Sequence, residues 1–149
     1  MRIILKHNYY LIWFWILTPN FAQDTFSIVA VDTNTMEIGS AGASCIAGSI
    51  MISDIIPGTG AIHTQSYWNQ ANQNNAHNWM VQSYTPDEII NLLENNDAQN
   101  NPSIRQYGIT ALLDSNRSAA YTGSNCYDYK NHILGPNYAI QGNILSGQD

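Results

Sequence analysis

The segment Ala22-Gln23-Asp24-Thr25-Phe26-Ser27 sets a threonine at the head of an apolar run, directly behind a stretch with the character of a secretory leader. Such a threonine is either an ordinary first residue of a strand or a nucleophile, and the difference lies in where the chain is cut. With the residues before it removed, Thr25 carries a hydroxyl and a free α-amine together. That amine has a pKa near 8, so roughly a tenth to a fifth of it is neutral at pH 7. The neutral amine accepts the hydroxyl proton, directly or through a water, and the nucleophile brings its own general base. With the chain uncut, the Thr25 nitrogen is an amide and this chemistry is closed.

Few other side chains carry chemistry. The cysteines are Cys45 and Cys126. In an exported chain they meet an oxidising compartment, where a pair can close; the long loop would make the bridge worth roughly 3–4.5 kcal/mol. The alternative is two small buried hydrophobes, which free cysteines commonly are. His63, His77 and His132 are scattered and form no metal-ligand spacing with the cysteines. No metal and no cofactor is expected.

Residues 1–22 read as a signal peptide. Arg2 and Lys6 give a positive start, Tyr9 to Leu17 is apolar and aromatic throughout, and Pro19-Asn20 ends the run. The run is too short for a comfortable membrane span; an uncleaved anchor is the other reading. Ala22 is the best small residue to precede a cut, which makes Gln23 the first mature residue and the protein secreted or periplasmic. Losing Arg2 and Lys6 leaves Arg105, Arg117 and Lys130 against 11 acidic residues, a net charge of −8. No basic stripe survives, so neither nucleic acid nor a membrane surface is an expected partner. A small molecule or peptide is expected instead, and homo-oligomerisation is left open. Asn116-Arg117-Ser118 is a sequon that matters only in a host that glycosylates secreted proteins.

Residues 23–149 suffice for one domain. Residues 26–31 are apolar and β-branched, a polar turn follows at 32–35, and 36–44 resume as a strand of small residues, which together predict a hairpin. Residues 45–56 are ambiguous. A third strand is expected over 61–67 and a loosely striped, Asn/Gln-rich helix over 68–84. Thr85-Pro86-Asp87-Glu88 has the form of a capping box and predicts a helix from 86 to about 95. Strands are then expected over 106–113, 119–122 and 138–145, with a turn at 114–117. The order β-β-β-α-α-β-β-β indicates an α+β domain with a largely antiparallel sheet or two packed sheets.

Four of these motifs, in order, resemble one family, the domain of unknown function 1028. Its members typically open Thr-Phe-Ser-Ile-Val-Ala, as Thr25 to Ala30 do. They carry Arg-Gln-x-Gly, here Arg105-Gln106-Tyr107-Gly108. A Thr-Gly followed shortly by Cys comes next, here Thr122-Gly123 with Cys126, and then Gln-Gly-Asn, here Gln141-Gly142-Asn143. The resemblance covers residues 25–147. It implies a four-layer α-β-β-α sandwich of the N-terminal-nucleophile hydrolase type. Family members continue past Gln-Gly-Asn with further helix and strand, so the resemblance also implies a sandwich incomplete at its C-terminus.

The family has no well-established activity, but its fold relatives cleave amide bonds with an N-terminal Thr, Ser or Cys. On that pattern Thr25 is the nucleophile. An oxyanion hole would come from Gln65, Gln141 or Asn143, and Ser27 and Ser44 would line the same cleft if both strands reach it. The sequence departs from the pattern in two ways. Gln23-Asp24 stand between the expected cut and Thr25, and no lysine lies near Ser44 or Cys45. Three readings therefore remain: an exported amide hydrolase acting through Thr25, a non-catalytic secreted binding or structural module using aromatics at 67, 68, 79 and 84, and a truncated product without activity.

Overall fold

The computed structural model describes residues 24–112 and 117–147. The expected leader, Gln23, and the sequon residue Asn116 with most of its turn fall outside them. Eight strands and two helices follow in order. They are β1 (Thr25–Asp32), β2 (Glu37–Ala43), β3 (Ser53–Ile56), β4 (Gly60–Gln65), α1 (Gln70–Val81), α2 (Pro86–Asn95), β5 (Gln106–Ala111), β6 (Ser118–Thr122), β7 (Asn131–Gly135) and β8 (Tyr138–Asn143).

The strands form two antiparallel four-stranded sheets, ordered β2-β1-β8-β7 and β3-β4-β5-β6. β1 and β8 lie over β4 and β5, so the sheets pack face to face. Helix α1 packs on β3 and β4, and α2 on β5 and β6. The fold is therefore α+β with two packed sheets, as expected. Only one helix layer of the expected four-layer sandwich stands among the described residues. On the outer face of the first sheet Phe26, Ile133 and Ile140 are exposed.

Two strands escaped the sequence analysis. β3 lies in the ambiguous 45–56 segment, behind a short 3-10 turn at Ser49–Ile52. β7 carries only two apolar side chains, Ile133 and Leu134, too few to show an alternation. The Asn/Gln-rich helix is real but shorter than expected; Asn69 caps it by accepting the Asn72 amide at 3.1 Å.

The main core lies between the helices and the second sheet. Ile62, Tyr107 and Ile109 of the strands meet Ala76, Met80, Ile89, Ile90 and Leu93 of the helices. Burying side chains of this size contributes roughly 1.5–3 kcal/mol each. Helix α2 is begun by the expected capping box: the Thr85 hydroxyl accepts the Glu88 amide at 3.3 Å, and the Glu88 carboxylate accepts the Thr85 amide at 2.8 Å. Thr85→Ala should lower the unfolding free energy by about 1 kcal/mol in a urea melt; an unchanged midpoint would show that the cap contributes nothing.

Candidate functional site

Alternation along the strands sends two kinds of residue between the sheets. Val29, Ala61 and Ala139 form a small apolar cluster with Ile38 and Ala120. Towards the start of β1 the layer turns polar: Ser27, His63, Gln65, Gln106, Gln141 and Asn143 are each at most 3% exposed. Such burial is tolerable only when the groups are hydrogen-bonded. Gln106 Nε2 donates to the Gly142 carbonyl at 2.9 Å, and its Oε1 accepts from Gln65 and Asn143 at 2.7 and 2.9 Å. Ser27 donates to Gln65 at 2.7 Å and accepts from Gln141 at 2.6 Å. Burial pushes the His63 imidazole down to about 4, so it is neutral near pH 7.

Thr25 opens β1 above this layer, paired with Asn143 of β8. Its side chain faces a cavity of about 350 Å³ and meets the Ser44 hydroxyl at 2.8 Å. The carboxamides of Gln65 and Asn143 reach the same cavity, with Tyr67, Trp68, Tyr127, Ile46, Ile52 and Ile144 around it. Among the described residues, no charged side chain lines it. The Tyr67 and Tyr127 hydroxyls are 2.8 Å apart.

One wall is strained. Ser66 and Tyr67 hold φ of 55° and 57°, a region non-glycine residues rarely occupy. Arg105, buried beneath them, donates to the Tyr67 carbonyl. Asp97 holds that guanidinium in place by accepting from its Nε at 2.9 Å. Burial works to raise the Asp97 carboxyl, but hydrogen bonds from Arg105, Asn101, Asn72 and Gln99 outweigh it and hold it well below the usual carboxylate range.

Of the residues singled out in the sequence, Thr25, Ser44, Gln65, Asn143 and Cys45 line one cavity. Ser27 and Gln141 do not reach it; they lie in the buried layer. No disulfide joins Cys45 to Cys126. Cys45 is exposed at the cavity, whereas Cys126 is buried and its thiol donates to the Arg105 carbonyl at 3.2 Å. Among the aromatics, Tyr67 and Trp68 line the cavity, while Trp79 packs against the core. Arg105, Gln106 and His63 were missed as site residues. Among the described residues no cluster of three metal-ligating side chains occurs. A separate polar cavity of about 410 Å³ lies between β3 and α1, where His77 and Asp54 pair at 2.8 Å.

Residues 25–149 match the model of a family of unknown function, DUF1028. The chain belongs to this family. A crystal structure of a DUF1028 protein from Silicibacter pomeroyi shares the fold, with a TM-score of 0.74 at 24% identity. The match covers 84% of this chain and 57% of that one. No curated protein matches the chain.

The DUF1028 motifs converge on two adjacent residues. Gln106 is held by Thr122 at 2.9 Å, by the Gly142 carbonyl and by Asn143. The Arg105 carbonyl accepts both the Gly123 amide and the Cys126 thiol. Gly108 makes room for Gln141; a Cβ there would stand 1.9 Å from Gln141 Oε1. A Cβ on Gly123 would stand 2.2 Å from the Ser103 carbonyl oxygen, which is backbone and cannot swing away. Gly123→Ala should therefore destabilise the fold by roughly 1–3 kcal/mol in denaturant melts; a neutral effect would show that the 102–104 turn yields freely.

His63 makes stability depend on pH. In the unfolded chain it takes a proton near 6.5, in the fold only near 4. Between those values the unfolded state binds more protons, so stability is full above 6.5 and declines as pH falls to 4. The loss should be on the order of 3 kcal/mol. Burial lowers His132 as well, in the same direction. A His63→Gln variant should lose less over this window, and equal slopes would assign the loss to other groups.

Proposed function

We propose that this protein is an exported amide hydrolase of the N-terminal-nucleophile type, with Thr25 as nucleophile and base once its α-amine is freed. One observation carries this reading. The Thr25 hydroxyl faces an uncharged, largely apolar cavity whose polar groups include Ser44 and the carboxamides of Gln65 and Asn143. The lining favours a neutral acyl group, apolar or aromatic, since a charged one would be buried without a partner.

In the first step the Thr25 Oγ attacks the substrate carbonyl carbon and the Thr25 amine takes the hydroxyl proton. The carbonyl oxygen becomes an oxyanion beside the Asn143 and Gln65 amides. Collapse breaks the C–N bond, the protonated amine returns its proton to the leaving amine, and an ester on Thr25 remains. Water then gives a proton to the same amine and adds to the ester carbon; the bond to Thr25 Oγ breaks, the amine returns the proton to Oγ, and the acid is released. Residues 1–24 must be gone for this to run, and a cut after Ala22 alone leaves Thr25 with an amide nitrogen. In that event the same cavity supports the second reading, a module that binds a neutral ligand against Tyr67, Trp68 and Tyr127.

A screen of neutral N-acyl amides against chain beginning at Thr25 tests the proposal. Turnover should appear there, vanish in Thr25→Ala, and fall about 10²–10³-fold in kcat in Asn143→Ala if Asn143 supplies the oxyanion donor. Turnover that survives Thr25→Ala would rule out Thr25.

A further inference from the structure

The polar layer between the sheets is one continuous chain of hydrogen bonds, and its direction is fixed at one end. Gln106 places one terminus of its carboxamide 2.9 Å from the Gly142 carbonyl and 3.1 Å from the Asn131 carbonyl. Carbonyl oxygens only accept, so that terminus is the nitrogen. Its oxygen then faces Gln65 and Asn143, and both must turn nitrogens to it. Gln65 therefore shows its oxygen to Ser27, which donates. With its proton engaged, Ser27 can only accept from Gln141 Nε2. The second hydrogen of that amide points to His63 Nδ1, 3.4 Å away. Nδ1 is thus the bare nitrogen, and Nε2–H donates to Ser40 Oγ at 2.5 Å. The Ser40 hydroxyl also shares a hydrogen bond with the Ser53 hydroxyl at 2.6 Å, whose direction the rest of the chain does not fix.

We propose that Gln106 is a positioning residue: its carbonyl contacts set the direction of the whole chain, draw the nitrogens of Gln65 and Asn143, two residues of the Thr25 cavity, onto its own oxygen, and lock His63 as the Nε2–H tautomer. The part concerning Thr25 rests on the amide-hydrolase reading; the tautomer does not. Two consequences follow. One hydrogen of each of these amides is spent on Gln106, so only the second is left to meet a ligand's acceptor, such as a carbonyl oxygen. In addition, His63 is not a base for Ser40, although the two line a second cavity of about 140 Å³. With the imidazole donating, Ser40 is not activated as a nucleophile.

The competing arrangement has one attraction. Gln141 Oε1 is buried with no hydrogen-bond partner among the described residues, and turning the amide over would bring it to a protonated His63 Nδ1. Ser27 would then have to donate to Gln141, and Gln65 would have to turn its nitrogen to Ser27. The Gln65 oxygen would face Gln106 Oε1. Relieving that clash by turning Gln106 sets its oxygen against the Gly142 and Asn131 carbonyls. One unpartnered acceptor is the lesser penalty.

The test is the imidazole tautomer, read by long-range ¹H–¹⁵N correlation on the ¹⁵N-labelled chain at pH 7. His63 is assigned by the signals lost in His63→Gln. The expected result is a single neutral tautomer protonated at Nε2. Gln106→Met, which keeps the length of the side chain and removes both its donors and its acceptor, should lose that single pattern. Ser27→Ala, a small change that unties Gln141, should let the amide turn and move the proton to Nδ1. An Nδ1–H tautomer or an imidazolium in the unsubstituted chain overturns the proposal, whether or not amides are hydrolysed. So does an unaltered Nε2–H pattern in folded Gln106→Met, or in Ser27→Ala should Gln106→Met not fold. The expected tautomers without any amide turnover uphold Gln106 and defeat the Thr25 reading alone.

Discussion

A carboxamide donates at one end and accepts at the other, and Gln106 is held by both ends between two sheets. That constraint organises the structure around it. Apolar side chains alone would have joined the sheets at less risk, as they do around Val29, Ala61 and Ala139. Near the start of β1 the sheets are instead joined by carboxamides, a serine and an imidazole, all buried. A layer of this kind is stable only when nearly every donor finds its acceptor. It resists exchange of any one member, because each partner fixes the next.

Arg105, the neighbour of Gln106, does the complementary work on the other side of the second sheet. Asp97 neutralises it, and it grips the Tyr67 carbonyl while Ser66 and Tyr67 are held in left-handed conformations. Non-glycine residues held at positive φ cost of order 1–3 kcal/mol each, so they persist only where surrounding bonds over-determine them. The cavity wall and the cavity floor are thus set by consecutive residues of one strand edge. Strand alternation turns the Gln106 side chain to the first sheet and the Arg105 side chain away from it.

Much of this was legible in the sequence. The capping box at Thr85 announced α2 because its signal is local: four residues suffice to satisfy two backbone donors. The first hairpin and β8 were legible for similar reasons, in β-branched runs and short polar turns. β7 was not, since its pairing with β8 is decided by the partner strand and only two apolar residues mark it. The gathering of Thr25, Ser44, Gln65 and Asn143 into one cavity was expected by residue type. Ser27 and Gln141 were expected beside them, but strand register carried them beneath the floor. Gln106 was visible only as part of a motif; what it does depends on carbonyls 25 and 36 residues further along the chain, which no local pattern encodes. The Cys45–Cys126 pair was arithmetic on two residues, and the fold gave the Cys126 thiol a backbone carbonyl instead.

The most direct measurement is the N-terminal sequence and intact mass of the protein recovered after export. The account of Thr25 as nucleophile predicts a mature chain that begins at Thr25, with amine and hydroxyl on one residue at the mouth of the cavity. A chain that begins at Gln23 or upstream would contradict it, because an amide nitrogen cannot take the hydroxyl proton, and the cavity would then be a binding site.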